Sequence, residues 1–114
     1  MAWVQFCLML QEPPIEEITR KIVEAFHPRR VVMFGSRARD AAGPDSDLDL
    51  MVEMETDQSP PHRAMAIDAL FGIRRWAMDI LVFTPDEVRQ QRQYRNSLLR
   101  VIEREGKTLY EQPG

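Results

Sequence analysis

At 114 residues the chain can build one hydrophobic core and is too short for a second. Apolar residues make up 44% and charged residues 29%, an ordinary globular balance, and a net charge of −3 excludes a global basic field that would recruit nucleic acid. The one cysteine, Cys7, excludes an internal disulfide and suits a reducing compartment, and no CxxC or Cys/His cluster points to zinc.

The first ten residues, Met1 to Leu10, are apolar. A membrane span needs about 20 such residues. A secretory signal would show a basic start and a small-residue cleavage site. Neither applies, so residues 1–14 read as an extension and residues 15–114 as the folded domain, with a cytoplasmic location expected. Glu12-Pro13-Pro14 breaks the chain. Ile15, Ile18, Ile22, Val23 and Phe26 then recur at helical spacing, and this helix should stop before Pro28. Val31 to Phe34 reads as a strand, Arg37 to Asp40 as a short helix, and Gly43-Pro44 as a turn. From Asp47 to Met54 the pattern alternates, with Leu48, Leu50, Val52 and Met54 on one face and Asp47, Asp49, Met51 and Glu53 on the other. A helix is expected after Pro61, its stripe formed by Ala66, Ala69, Leu70, Ile73 and Trp76, with Arg63, Arg74 and Arg75 on its polar side. Met78 to Phe83 is the third strand, carrying Asp79 near its start. Thr84-Pro85-Asp86-Glu87 has the form of a capping box, and a last helix from about Ser97 should end at Gly106. Three strands with intervening helices predict a small α/β sandwich, its sheet covered mainly on one face.

The chemistry concentrates around the first two strands. The apolar run Val31–Phe34 ends in Gly35-Ser36, and Asp47 and Asp49 follow with one residue between them. Alternation sends both carboxylates to the same side of a strand, roughly 6.5–7 Å apart along it. Aspartate is a poor strand former, and two at the head of an apolar strand repel unless a cation offsets them. Gly35 allows close backbone approach, Ser36 offers a hydroxyl to phosphate oxygens, and Arg37 and Arg39 flank the turn with guanidinium groups suited to phosphate. Each feature alone has a plainer reading: an ordinary turn for Gly-Ser, a solvated face for the acid pair, a strand-start residue for Asp79. A phosphate-gripping turn with three strand-borne acids is the equipment of two-metal phosphoryl or nucleotidyl transfer.

The pattern Gly35-Ser36, Asp47-x-Asp49 and Asp79 resembles the nucleotidyltransferase superfamily that includes DNA polymerase beta and kanamycin nucleotidyltransferase. The string GSRARDAAGPDSDLDLMV is similar to its smallest members, the minimal nucleotidyltransferases (MNT), often the antitoxin half of MNT/HEPN toxin–antitoxin pairs. The similarity runs over roughly residues 15 to 111 and includes the closing stretch from Glu105 to Glu111. It implies a mixed sheet with the acids gathered on its open face. It also implies two magnesium ions held by Asp47, Asp49 and Asp79, ATP as nucleotide donor, and Gly35, Ser36, Arg37 and Arg39 at the triphosphate. By the same resemblance the acceptor is a tyrosine of a HEPN RNase toxin, which the added AMP neutralises.

Two other functions stand beside this one: an antitoxin that acts by binding alone, and a stand-alone transferase acting on a small molecule or RNA. A homo- or hetero-oligomer is compatible with each. The basic stretch Arg89 to Arg95 is balanced by Asp86 and Glu87 and reads as a solvated helix face, so no strong nucleic-acid signal remains. The R-x6-H spacing from Arg20 to His27, which also occurs in HEPN ribonucleases, lies at the end of an amphipathic helix and reads as coincidence.

Overall fold

The computed structural model describes residues 12–43, 46–74 and 76–113. Its elements are α1 (Ile15–Phe26), β1 (Arg30–Phe34), β2 (Leu48–Glu53), α2 (Pro60–Asp68), β3 (Met78–Phe83), α3 (Pro85–Arg92), α4 (Leu98–Glu105) and β4 (Lys107–Glu111). The apolar extension expected at the N-terminus lies outside the described residues, apart from 12–14. Among the described residues, no helix is long and apolar enough to cross a membrane.

The strand with the strongest apolar pattern takes the middle of the sheet. Every residue of β2 is buried except Asp49. It pairs parallel with β3 and antiparallel with β1, and β4 adds antiparallel to β1, giving the order β3-β2-β1-β4. The sheet is therefore mixed, and the expectation of a small α/β domain holds. Leu48, Leu50, Val52 and Met54 point into the larger core, where Ile18 and Ile22 of α1 and Ile67 of α2 meet them. On the opposite face a smaller cluster joins Val32 and Met51 to Val88 of α3 and to Leu99 and Ile102 of α4. This second layer covers only the far half of its face. Among the described residues, no helix lies over the near half, where Asp49 and Asp79 project.

Local signals explain most boundaries. His27 adopts φ 48° and its N–H bonds the Val23 carbonyl at 2.9 Å, closing α1 directly before Pro28. The Thr84 hydroxyl accepts from the Glu87 N–H, while the Glu87 carboxylate accepts from the Thr84 N–H, so the expected capping box starts α3. Ser97 caps α4, which stops at Gly106.

Four expectations change. First, Lys107–Glu111 is a fourth strand, too short to show a period and held by pairing with β1. Second, residues 37–40 form a single turn instead of a helix. The Asp40 N–H reaches the Arg37 carbonyl and the Ala41 N–H the Ser36 carbonyl, with Asp40 left-handed at φ 57°, a Schellman closure that ends the turn as soon as it forms. Third, α2 ends at Asp68, so the proposed stripe does not face the core as a unit: Ile67 is buried, Leu70 and Ile73 are exposed, and Trp76 packs only partly. Fourth, two charges expected on polar surfaces are buried. Arg63 donates to the Val82 and Gln58 carbonyls and to Glu87, and Glu53 pairs with Arg30 at 2.6 Å.

Candidate active site

Strand pairing assembles the site from three separate stretches of sequence. Asp49 stands directly opposite Asp79 across the parallel β2–β3 pair, and opposite Phe34 across the β1–β2 pair. Neighbouring strands lie about 4.8 Å apart, so the two carboxylates leave one face side by side. Asp47, two residues before Asp49, stands at the mouth of the same strand. Phe34 is the last residue of β1, which delivers Gly35 and Ser36 to the flank of Asp49.

Gly35 is required here for two reasons. It sits at φ 75°, a left-handed conformation that side chains resist. A Cβ at this position would also overlap the Oδ2 atom of Asp49. The close approach that the sequence reserved for a phosphate is therefore already used by a carboxylate of the same chain.

The electrostatics are those of crowded acids. Burial pushes the Asp49 carboxyl above its ordinary range, Asp79 and then Asp47 push it further, and Arg39 pulls the other way. Arg39 is thus the cation whose field reaches the acids. Arg37 is engaged differently: its Nε and Nη2 donate to the Ser46 carbonyl at 3.2 and 2.9 Å, and Nη2 also reaches the Gly43 carbonyl at 3.4 Å. The Ser46 hydroxyl accepts from the Gly43 N–H at 2.9 Å and so shapes the turn into β2. Asp45 lies outside the described residues. Ser36 is half-buried, and its carbonyl accepts the Arg39 and Ala41 N–H groups within the turn.

The donor set fits a hard divalent cation, since all three side chains are carboxylates and Asp49 is held against its neighbours' charge. Among the described residues, however, no three His, Cys, Asp or Glu side chains already surround one common position. Asp47, Asp49 and Asp79 would hold such an ion. Bound there, it would supply charge neutralisation and polarise phosphate oxygens.

A mixed sheet with acids at one end of its neighbouring strands β2 and β3, beside a Gly-Ser turn, is an arrangement suited to phosphate chemistry. Residues 15–111 match the nucleotidyltransferase domain family, and the chain belongs to it. Such domains in general use a divalent metal and a nucleoside triphosphate to transfer a nucleotidyl group. The fold is similar to the crystal structure of a Sulfolobus solfataricus protein provisionally assigned as a nucleotidyltransferase. The TM-score is 0.59 and the identity 18%, with 86% of this chain and 78% of that one covered. At that identity the likeness speaks for the fold. Among curated proteins none matches the chain.

The structure thus brings Gly35, Asp47, Asp49, Asp79 and Arg39 to one end of the sheet, and turns the Arg37 guanidinium onto backbone carbonyls. Sequence reasoning missed that β3 is an edge strand and that Arg63 covers part of that edge. Only strand order reveals the first, and a buried arginine carries no local pattern that would reveal the second.

Proposed function

We propose that this protein moves AMP from ATP, with magnesium, onto a hydroxyl group, and that the acceptor is a tyrosine of a HEPN-type RNase toxin in the same cytoplasm. The observation that carries the reading is the three acids crowded beside Gly35 without full compensation. Uncompensated carboxylates cost stability, and they are useful where a cation and a triphosphate arrive together. In the transfer, the acceptor oxygen forms a bond to the α-phosphorus, the bond between α-phosphorus and the bridging oxygen breaks, and pyrophosphate leaves with that oxygen. The hydroxyl proton passes to Asp79 or to solvent. Ser36 and Arg39 would orient the triphosphate, and the Arg37 loop would keep Asp47 beside Asp49. Nothing in the described residues forms a second domain to bind an acceptor, so acceptor specificity would come from the partner itself.

Intact-mass spectrometry tests this directly, using the protein with magnesium, ATP and the product of the adjacent gene. The expected result is a gain of about 329 Da per AMP on the partner, absent with Asp47→Asn. A stable complex without any mass change would replace transfer by neutralisation through binding.

A further inference from the structure

Resting on the transferase reading, we propose that the acceptor enters as an extended polypeptide segment that adds as a strand to the free edge of β3, with the residue to be modified opposite Asp79.

The backbone of β3 sorts itself into two sets. The Leu48 N–H bonds the Ala77 carbonyl, and the Met54 N–H bonds the Phe83 carbonyl. With the parallel register Leu48↔Met78 through Glu53↔Phe83, residues 77, 79, 81 and 83 turn their polar groups toward β2. Met78, Ile80 and Val82 turn theirs outward, and β3 is the end strand of the sheet. One of these outward groups is already covered, since Arg63 Nη1 donates to the Val82 carbonyl at 3.3 Å. Arg63 is fixed in turn by Glu87, at 2.7 Å. Among the described residues no such cover reaches Met78 or Ile80, the two positions that flank Asp79. The open part of the edge is therefore short and centred on the third acid.

A groove of about 300 Å³ runs along this opening, lined by Met65 and Asp68 of α2, by Arg74, and by Met78, Asp79 and Ile80. Met65 is 64% exposed there, an apolar floor for a chain lying on the edge. Arg74 pairs with Asp68 through Nη1 at 3.0 Å, while its Nε is buried with no hydrogen-bond partner. The Arg74 side chain thus brings a cation to the wall of the groove, with Asp68 as its partner. Outward N–H and C=O groups beside an apolar floor match a backbone with side chains better than a nucleoside or a sugar.

The register then places the reacting residue. In antiparallel addition the bonded pairs involve Met78 and Ile80, which leaves Asp79 in the non-hydrogen-bonded position, where opposite side chains approach most closely. Cross-strand neighbours share a face, at about 4.5–5.5 Å between Cβ atoms. A tyrosine, serine or threonine opposite Asp79 would therefore project onto the same face as Asp49 and Asp79, and its two neighbours would point away.

The test uses a blocked peptide of sequence Lys-Thr-Val-Tyr-Val-Thr-Lys and the same peptide N-methylated at both valines, titrated against the isotope-labelled full chain while amide resonances are followed by NMR. The expected result is a shift and slowed exchange of the Met78 and Ile80 amides with the plain peptide, and at least about tenfold weaker binding after methylation. Met78→Pro and Ile80→Pro, each removing one outward N–H, should weaken the plain peptide likewise, and Ile80→Val should not. Perturbation confined to another surface, equal binding of both peptides, or no perturbation at millimolar peptide would overturn the proposal. Mass spectrometry on the same samples with magnesium and ATP separates the two claims. Edge binding without nucleotide on any acceptor removes the transferase reading alone, and nucleotide on free tyrosinamide without edge binding removes this one alone.

Discussion

The face of the sheet that bears Asp49 has two ends, and they treat charge in opposite ways. At the far end Glu53, only four residues along the same strand from Asp49, meets Arg30 at 2.6 Å and Arg29 at 3.9 Å. Arg30 continues to Glu103 at 2.8 Å, and Arg92 closes on Glu103 at 2.5 Å. Helices α3 and α4 supply Arg92 and Glu103 to this network. At the near end Asp49 faces Asp79, with Asp47 beside it and Arg39 as the counter-charge, and among the described residues no helix covers them. The far end shows how this fold satisfies buried carboxylates when structure alone is at stake. The near end leaves the same chemistry unsatisfied on the same strand, which is why we propose it as the ligand site.

Replacing one acid at the near end should produce the largest change of all. Asp49→Asn is expected to lower nucleotidyl transfer by more than about a hundredfold. In chelator it should unfold at the same temperature as the parent or slightly higher, because like-charge repulsion is relieved. Retained transfer in this variant would break the contrast between the two ends. At the far end the expectation reverses: Glu53→Gln leaves Arg30, whose side chain is 15% exposed, with Glu103 as its remaining ion-pair partner, and should cost about 1–3 kcal/mol of stability by urea titration. A loss under 1 kcal/mol, on the order of a surface pair, would show that the network is ornamental.

Gly35→Ala tests the seam between turn and acid. A Cβ would meet Asp49 Oδ2 in a left-handed conformation, so the substitution should cost about 1–3 kcal/mol and weaken transfer as well. A fully stable, fully active variant would mean that the Asp49 carboxylate has another place to go. A smaller effect is expected at Arg37, whose guanidinium holds the carbonyls of Ser46 and Gly43. Arg37→Ala should lower kcat by loosening the approach of Asp47 while leaving the KM for ATP near its parent value, and a KM effect alone would return Arg37 to the triphosphate.

The near end was more legible in the sequence than the far end, for a physical reason. Asp47 and Asp49 interrupt a run of strand-forming residues, and a broken run is visible without knowing any partner. Glu53 breaks it too, but its explanation lies in Arg30 on another strand and Glu103 on α4, reached only through the fold. Arg63 was assigned to a polar face by helical spacing alone. Its burial depends on Glu87 and the Val82 carbonyl, neither of which is near it in the chain. β4 went unread as a strand because five residues give too short a period, and its stability comes from β1. The capping box at Thr84 and the helix stops before Pro28 and at Gly106 were legible because they are local. The single turn at 37–40 shows the limit of that rule, since its Schellman closure at Asp40 occurs where glycine would be the usual signal.

The gentlest probe of the comparison is pH. Hydrogen bonding from Arg92, opposed by burial and aided by Arg30, holds the Glu103 carboxyl below its ordinary value of 4.5. A depressed carboxyl gives stability that is fully present above the unfolded value and is lost as pH falls through the folded one. The far end should therefore weaken in acid, beginning as the pH drops below about 4.5. Asp49 is shifted the other way, so in metal-free protein its ionisation lowers stability as pH rises through its raised value. Urea midpoints of the parent and Glu103→Gln in chelator, taken between about pH 3 and 7, separate the two contributions. The variant should be weaker than the parent at neutral pH, and the gap should narrow toward the acid limit. A gap that stays constant with pH would show that Glu103 acts through packing, and the ion-pair account of the far end would then fail.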